Sequence, residues 1–385
     1  MRASSRGSPY MADRVHALRV RKNGKDLSMH LVVDAVVVRA GSSAIVIEHL
    51  LRGWTEAAPD DRVTVLVDEA GPVFAVPEGY PVVTVRPPVG GPAGAAWLRS
   101  FGVRRAARAL HPDAVLAAVP ATGLVGYGCP RGLILYDLRH ELRPHQFSWR
   151  TRLSRRLSWG WTMSRADGIY TISERTLDDL RDRHPRLARN GVAAQLGADH
   201  VDGWPAVDTS QEAPYALAFG HFANKNADSV IEGWARFCTT DDRWRLRLVG
   251  MGSADLAAAS DRVAALGVAD RVELMPWLDD AAFQDVFAGA GLVIFPSDFE
   301  GFGLPAIEAM RLGIPVVVSD DPALAEVTGG HAAVARTTTP VDLAAAITEA
   351  LAYPPAHLEA ARRFTDGFAW RRTADVVRAS LLEAR

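Results

Sequence analysis

Short runs of β-branched and aliphatic residues alternate along this chain with segments of helical spacing, and that alternation admits few folds. In the first half the runs are Leu31–Val38, Val63–Val67, Val82–Val85, Ala114–Val119, Leu133–Leu138 and Gly168–Ile172. They are apolar at nearly every position, as strands covered on both faces of a parallel sheet are. Helical patterns lie between them over Ser43–Trp54, Ala95–Leu110 and Ser148–Ser164, and Ser173 opens another as its N-cap, with Glu174 and Asp178 in the first turns. After a polar, proline-bearing stretch around Gly203–Pro214 the series resumes with Ala216–Phe219, Arg245–Val249, Val272–Met275, Leu292–Phe295 and Val316–Ser319. Two doubly wound, Rossmann-like α/β domains facing one another across a cleft are expected. The boundaries read as a disordered basic extension over 1–28, a first domain over 29–207, a second over 208–365 and a helical segment over 366–385 that packs back on the first domain.

A chain of 385 residues, 48% hydrophobic, has the length for two such domains and the apolar content for large cores. Its net charge of −2 argues against a dedicated nucleic-acid binder. The charge is unevenly spread, since residues 206–365 carry 22 acidic and 11 basic side chains. No apolar run approaches the ~18 residues of a membrane span and no secretory signal is visible, so a cytoplasmic protein is expected. Cys129 and Cys238 are too few and too far apart for a disulfide framework or a thiolate metal site. The cations are almost all arginine; Lys22, Lys25 and Lys225 are the lysines, and Lys225 stands out as the interior one.

The strongest motif runs Phe295-Pro-Ser-Asp-Phe-Glu300-Gly-Phe-Gly-Leu-Pro-Ala-Ile-Glu308. It reads as a buried strand, a glycine loop and a helix with Pro305 in its first turn. Gly301 and Gly303 let the backbone approach a ligand, and the unpaired N–H groups of the helix that opens at Leu304 suit a phosphate or a sugar hydroxyl. Glu300 and Glu308, eight positions apart, can accept hydrogen bonds from different parts of one extended, hydroxyl-rich ligand.

The string from Glu300 to Glu308 resembles the Glu-x7-Glu motif of the retaining family-four glycosyltransferases of the GT-B fold. Further segments carry the same resemblance. Phe219-Gly220-His221-Phe222-Ala223-Asn224-Lys225-Asn226 is similar to the family's glycine turn ending in Lys-Asn, and Leu248-Val249-Gly250-Met251-Gly252 to its next strand and turn. Trp277 and Leu278 sit where the nucleobase-contacting loop sits, and Gly41 and Ser42 where the phosphate-facing loop of the first domain sits. Ser173 and the Leu196-Gly-Ala-Asp199 segment resemble the interdomain region. The resemblance implies a nucleoside-diphosphate sugar as donor substrate and no resident cofactor. Lys225, with backbone N–H groups at Gly41, Ser42 and Gly303, would stabilise the departing diphosphate. Glu300, helped by the amides of Phe302 and Gly303, would hold the donor sugar and Glu308 the ribose; Gly220, Asn226, Gly252, Gly301 and Leu304 complete the donor site. The implied mechanism is same-face substitution without a metal, and the chain has no Asp-x-Asp; Asp298 and Glu300 are its nearest carboxylate pair there.

The sequence departs from the family in two places. His221 or Asn224 stands where many members have an arginine, and Tyr136-Asp137 replaces a His-Asp pair, with His140 three residues on. Asp137, His140 and Ser173 are therefore the candidates for contact with the sugar or acceptor. Gly250-Met-Gly252 has Asp255 in place of the third glycine of a dinucleotide fingerprint, which argues against a nicotinamide site. Finally, Trp149, Leu153, Leu157 and Trp161 recur every four residues on a helix rich in arginine. A core-facing stripe is the favoured expectation there, and docking on an anionic membrane that carries a lipid-linked acceptor is the alternative. The functional readings are a retaining hexosyltransferase that uses a GDP- or UDP-linked, mannose-like donor and a hydroxyl of a glycan, lipid-linked or small-molecule acceptor; a GT-B-like nucleotide-sugar epimerase or a nicotinamide oxidoreductase; and a catalytically silent sugar-nucleotide-binding partner.

Overall fold

A computed structural model of the protein describes residues 28–206, 213–220, 223–241 and 243–385. The expected extension before residue 28, the domain boundary at 207/208 and His221 lie outside the described residues.

The first sheet is built from β1 (His30–Asp34), β2 (Arg62–Val67), β3 (Val82–Thr84), β4 (Ala114–Ala117), β5 (Arg131–Leu135), β6 (Gly168–Thr171) and β7 (Gly191–Ala193), in the order β3-β2-β1-β4-β5-β6-β7. The second contains β8 (Tyr215–Phe219), β9 (Arg245–Val249), β10 (Val272–Leu274), β11 (Leu292–Phe295), β12 (Val316–Ser319) and β13 (Ala333–Ala335), in the order β10-β9-β8-β11-β12-β13. Every pairing is parallel. The strand order reverses between β1 and β4 in one sheet and between β8 and β11 in the other. Ligands of doubly wound sheets bind at the carboxyl ends of such strands, so the loops after β1, β8 and β11 are the ones that matter.

The central strands are buried along nearly their whole length, which is why they read as unbroken apolar runs. β1 ends at Asp34 rather than Val38, because the Val36 N–H turns back onto the Asp34 carboxylate and the Val38 N–H onto the Ala35 carbonyl. The edge strands β7 and β13, three residues each, were too short to show a period. The expected helix over 95–110 begins earlier, at Gly91, and carries a π turn over Leu98–Gly102 between two α segments.

The C-terminal helix Trp370–Glu383 crosses back and lies on helix Ser42–Ala57 of the first domain. The crossing is close enough that a Cβ at Gly53 would come within 2.4 Å of the Trp370 backbone. Arg378 fixes it by a two-pronged ion pair with Asp61, at 2.7 and 3.0 Å. The segment joining the domains is packed as well, with the Trp204 ring edge-on to Phe287 of the second domain at 5.3 Å.

The arginine-rich helix spans Trp149–Met163 and corrects the expectation of a core-facing stripe. Trp149, Leu153, Leu157 and Trp161 are 67, 47, 65 and 50% exposed. The helix is held from its other side, where Thr162 and Met163 are buried and Trp159 meets His140 edge-on.

Candidate functional site

Two loops at the switch point of the second sheet build the centre of the site. After β8 the chain makes a short 3-10 turn, Ala223–Lys225, and enters helix Ala227–Phe237 through Asn226, a non-glycine residue in the left-handed region at φ 55°. The Asn226 side-chain amide holds that conformation by donating to the Pro296 carbonyl at 2.8 Å. After β11 the chain runs through Ser297 to Glu300 and enters helix Leu304–Arg311 through Gly303, at φ 103°.

Lys225 and Glu300, assigned by sequence to different parts of a ligand, meet. Lys225 Nζ lies 2.6 Å from Glu300 Oε1 and 4.0 Å from the centroid of the Phe295 ring. Asn224 Nδ2 donates to Ser297 Oγ, to the Phe299 carbonyl and, at 3.3 Å, to the same Glu300 oxygen. The pair is mostly buried, with side chains 9 and 14% exposed, so the interaction is little screened. Among the described residues nothing donates to Glu300 Oε2.

The peptides around Glu300 form the wall shared by both domains. Ser173 Oγ and Thr176 Oγ1 donate to the Gly301 carbonyl, at 2.6 and 3.2 Å, and Arg175 Nη1 donates to the Glu300 carbonyl. A Cβ at Gly301 would stand 2.2 Å from the Tyr136 carbonyl oxygen. The glycine is therefore required by the approach of the first domain's backbone, where the sequence reading had given it to a ligand. Beside this wall Glu326 accepts from the N–H groups of Glu174 and Arg175, both at 2.9 Å, and from the Gln195 amide. Arg175 also faces Asp321 at 3.6 Å, although burial outweighs it and pushes the Asp321 carboxyl up.

Glu308 is 6% exposed, and its Oε1 lies 3.0 Å from His200 Nε2. Trp370 Nε1 lies 3.1 Å from His200 Nδ1; an indole N–H can only donate, so Nδ1 accepts and Nε2 carries the proton toward Glu308. One oxygen of Glu308 is thereby anchored, and no hydrogen bond engages the other among the described residues. His49 stacks on His200 at 4.3 Å, and its pKa is pushed down to about 3 by burial first, then by His200 and Arg52.

The remaining candidates divide. Gly41, at φ 113°, leads into helix Ser42–Ala57, which starts at an exposed Ser42 and has no side-chain cap; a Cβ at Gly41 would meet nothing within 4 Å. Gly220 packs against Met251, where a Cβ would come within 2.4 Å of its Cγ, and Gly252 precedes helix Ser253–Ala265 in ordinary extended conformation. Trp277 is 63% exposed, while Leu278 and Leu304 pack on the core. The Phe302 ring is buried near Phe368, leaving its backbone for any ligand role.

In the first domain, Asp137 Oδ1 accepts from the Arg139 N–H at 2.8 Å. His140 is 2% exposed, its ring turned onto Trp159 with neither nitrogen hydrogen-bonded, and burial pushes its pKa down. Ser173 is committed to structure, since its Oγ caps helix Glu174–Arg183 through the Thr176 N–H while donating to Gly301. Sequence reasoning missed His200, Trp370, Arg175 and Glu326. His200 directly follows the Asp199 segment already singled out, but nothing local ties it to Trp370 or Glu308.

Two family models match the chain, "Glycosyltransferase Family 4" over residues 43–195 and "Glycosyl transferases group 1" over residues 213–353. The MMP alpha-(1->4)-mannosyltransferase of Mycolicibacterium hassiacum is 36% identical over 119 residues, 29% of this chain and 29% of that protein. The D-inositol 3-phosphate glycosyltransferase of Geodermatophilus obscurus is 31% identical over 161 residues, 39% of this chain and 36% of that protein. The chain thus spans about a third or less of the length of these two relatives. A longer match, 27% over 296 residues, covers 72% of this chain and 76% of the GDP-mannose-dependent alpha-(1-6)-phosphatidylinositol dimannoside mannosyltransferase of Mycobacterium tuberculosis. Among solved structures, Anabaena HepE in complex with UDP and glucose superposes with a TM-score of 0.71 at 17% identity, over 92% of this chain and all of that one. WaaG, a glycosyltransferase involved in lipopolysaccharide biosynthesis, gives 0.67 at 16% identity with the same coverage. Two facing parallel sheets of the same strand order, a lysine–glutamate pair at the switch point of the second and family matches over both halves place this chain among the family-four glycosyltransferases of the GT-B fold.

Proposed function

We infer that this glycosyltransferase transfers a mannose-like hexose from a GDP- or UDP-linked donor to a hydroxyl of a glycan, lipid-linked or small-molecule acceptor, with retention and with no metal or other cofactor. The observation that carries this reading is the Lys225–Glu300 pair, buried where the loops after β8 and β11 meet. In the reaction the glycosidic C–O bond to the diphosphate breaks and negative charge collects on the leaving oxygen. A cation already desolvated and aimed at that position stabilises the transition state more than the bound donor. Lys225 is such a cation, and the uncapped N–H groups of helices Ser42–Ala57 and Leu304–Arg311 add partial positive charge from either side of the cleft.

Glu300, with Oε1 held by Lys225 and Asn224, offers Oε2 to the donor sugar's hydroxyls. Glu308, with Oε1 held by His200, offers Oε2 to the ribose. The acceptor hydroxyl enters on the face the diphosphate leaves, and the departing oxygen takes its proton, so the configuration is kept. A mannosyl donor is supported by the relatives' names, which include mannosyltransferases of three kinds of acceptor.

The test is incubation with a panel of GDP- and UDP-sugars, with released nucleoside diphosphate and the anomeric configuration of the product as readouts. Release from one donor, with an α-linked product from an α-linked donor, is expected. An isomerised donor without release would mean an epimerase, and binding without turnover a silent partner.

A further inference from the structure

Helix Trp149–Met163 presents a stripe that the sheet does not need. Trp149, Leu153, Leu157 and Trp161 follow one another at four-residue spacing over about 18 Å of helix, and all four are about half exposed or more among the described residues. A helix covering an α/β sheet turns its apolar side inward. This one turns Arg155 inward beside Trp159, with its guanidinium 5.0 Å from that ring, and leaves two tryptophans and two leucines outside.

The stripe continues onto the neighbouring loop. Trp161 Nε1 donates to the Leu124 carbonyl at 2.7 Å, and Val125 beside it is exposed. Arg104, from the preceding layer, reaches the Val125 carbonyl, and Phe101, 58% exposed, lies on the same basic segment.

The charge around the patch is mostly positive. Helix Trp149–Met163 holds four arginines and no carboxylate, and residues 86–165 hold thirteen arginines against three acidic residues. Arg150, Arg152 and Arg156 are exposed beside the stripe; Arg150 and Arg165 lie over the Trp149 and Trp161 rings, at 5.6 and 3.3 Å. The chain's own first 27 residues do not complement this surface, since they carry seven basic and two acidic side chains. No helix of the described residues is long and apolar enough to cross a membrane.

We propose that this face is a docking surface for an anionic phospholipid bilayer, with the helix lying in the interface, its two tryptophans and two leucines below the headgroups and Arg150, Arg152 and Arg156 on the phosphates. Indole rings and arginine guanidiniums match the two layers of a membrane surface, apolar below and anionic above. The helix follows the loop at the carboxyl end of β5, and its Arg155 lies within electrostatic range of Asp137 in that loop. The docked protein then holds the first domain's side of the cleft at the bilayer. Docking is measured without donor or acceptor, so its outcome is independent of the transferase reading.

The experiment is sedimentation of the full chain with vesicles of phosphatidylcholine alone and of equimolar phosphatidylcholine and phosphatidylglycerol. Binding to the anionic vesicles only, weakened by salt, is expected. The triple variant Arg150→Gln, Arg152→Gln, Arg156→Gln should bind about 100-fold more weakly. The variant Trp149→Gln, Leu153→Gln, Leu157→Gln, Trp161→Gln should lose at least about tenfold. The arginine variant should keep the parent's melting temperature, because Arg150, Arg152 and Arg156 are exposed; the apolar variant also loses the Trp161–Leu124 hydrogen bond, so its binding is measured at a temperature where circular dichroism shows it folded. No binding to anionic vesicles, or equal binding by parent and variants, overturns the proposal. So does a concentration-dependent dimer that the apolar variant abolishes, which would make a second copy the occupant.

Discussion

The two domains share one strand order and differ in what stands at the switch point. In the second domain the loops after β8 and β11 converge as Asn224, Lys225, Ser297 and Glu300, a buried polar cluster whose spare acceptor oxygen remains for a ligand. At the corresponding place in the first domain, Asp34 at the end of β1 is fully buried and takes hydrogen bonds from Thr122 Oγ1 at 2.7 Å and Tyr127 OH at 2.5 Å. That carboxylate ties the loop over Thr122–Tyr127 to the sheet, and burial pushes its pKa up in spite of both bonds. The exposed, uncapped helix start at Gly41 and Ser42 is what this domain turns outward. The second domain thus gathers a buried polar cluster at its switch point, while the first turns an open helix start outward. This is the division expected when one half must stabilise a developing charge and the other must admit a second substrate.

The sharpest way to break this comparison is to empty the second switch point. Lys225→Ala should lower kcat by about 10² to 10³, as loss of one preorganised donor to a developing oxyanion does, with a smaller change in donor KM. It also strands the Glu300 charge, so the melting temperature should fall and rates must be normalised to folded protein. Lys225→Arg should recover only part, because a planar guanidinium does not fit where a compact ammonium sits against Phe295. Near-normal turnover in folded Lys225→Ala would remove the cation from the chemistry.

A smaller effect is expected at Glu308, the carboxylate proposed to hold the ribose. Glu308→Ala should raise donor KM by about 10- to 100-fold with kcat less affected, since hydrogen bonds to a charged group of ~1.5–3 kcal/mol act on ground and transition states alike. His200→Ala, which frees the anchored oxygen without removing the carboxylate, should show the same split at lower amplitude. An unchanged KM with a collapsed kcat in Glu308→Ala would move this residue to the reacting centre.

The shared wall is tested at Gly301. A Cβ there collides with the Tyr136 carbonyl, and backbone cannot yield as a side chain can. Gly301→Ala should therefore prop the domains apart, lowering kcat/KM by about tenfold or more and enlarging the radius of gyration in solution scattering. Gly41→Ala, which meets nothing and bears only the strain of φ 113°, should leave the scattering curve unchanged.

The smallest effect is one of pH. His49 titrates near 6.5 when unfolded and about 3 when folded, so between those values the unfolded chain holds more protons and stability falls as pH drops below 6.5. About 1–2 kcal/mol should be lost by pH 5, read from urea midpoints at pH 7.5 and pH 5, and His49→Gln should flatten that dependence.

What the chain states locally, it states well. Strands buried on both faces must be apolar throughout, so β1, β4, β8, β11 and β12 are visible as runs, and the two-domain plan follows from their count and spacing. The loop that delivers Glu300 and Glu308 is readable because glycines, a proline at a helix start and two carboxylates lie within fourteen residues. Lys225 is readable because it is a lysine where arginine is the rule. The pairing of Lys225 with Glu300 joins residues 75 apart, and the His200–Trp370 bond residues 170 apart. No local pattern encodes either, because each depends on two elements meeting in the folded sheet. The same holds for Gly301, whose need for a missing Cβ comes from a carbonyl of the other domain. Helix Trp149–Met163 shows the limit most directly. Its spacing fixed which residues share a face, but which face meets the sheet was decided by packing, with Trp159, Thr162 and Met163 inside and the tryptophan–leucine stripe left outside.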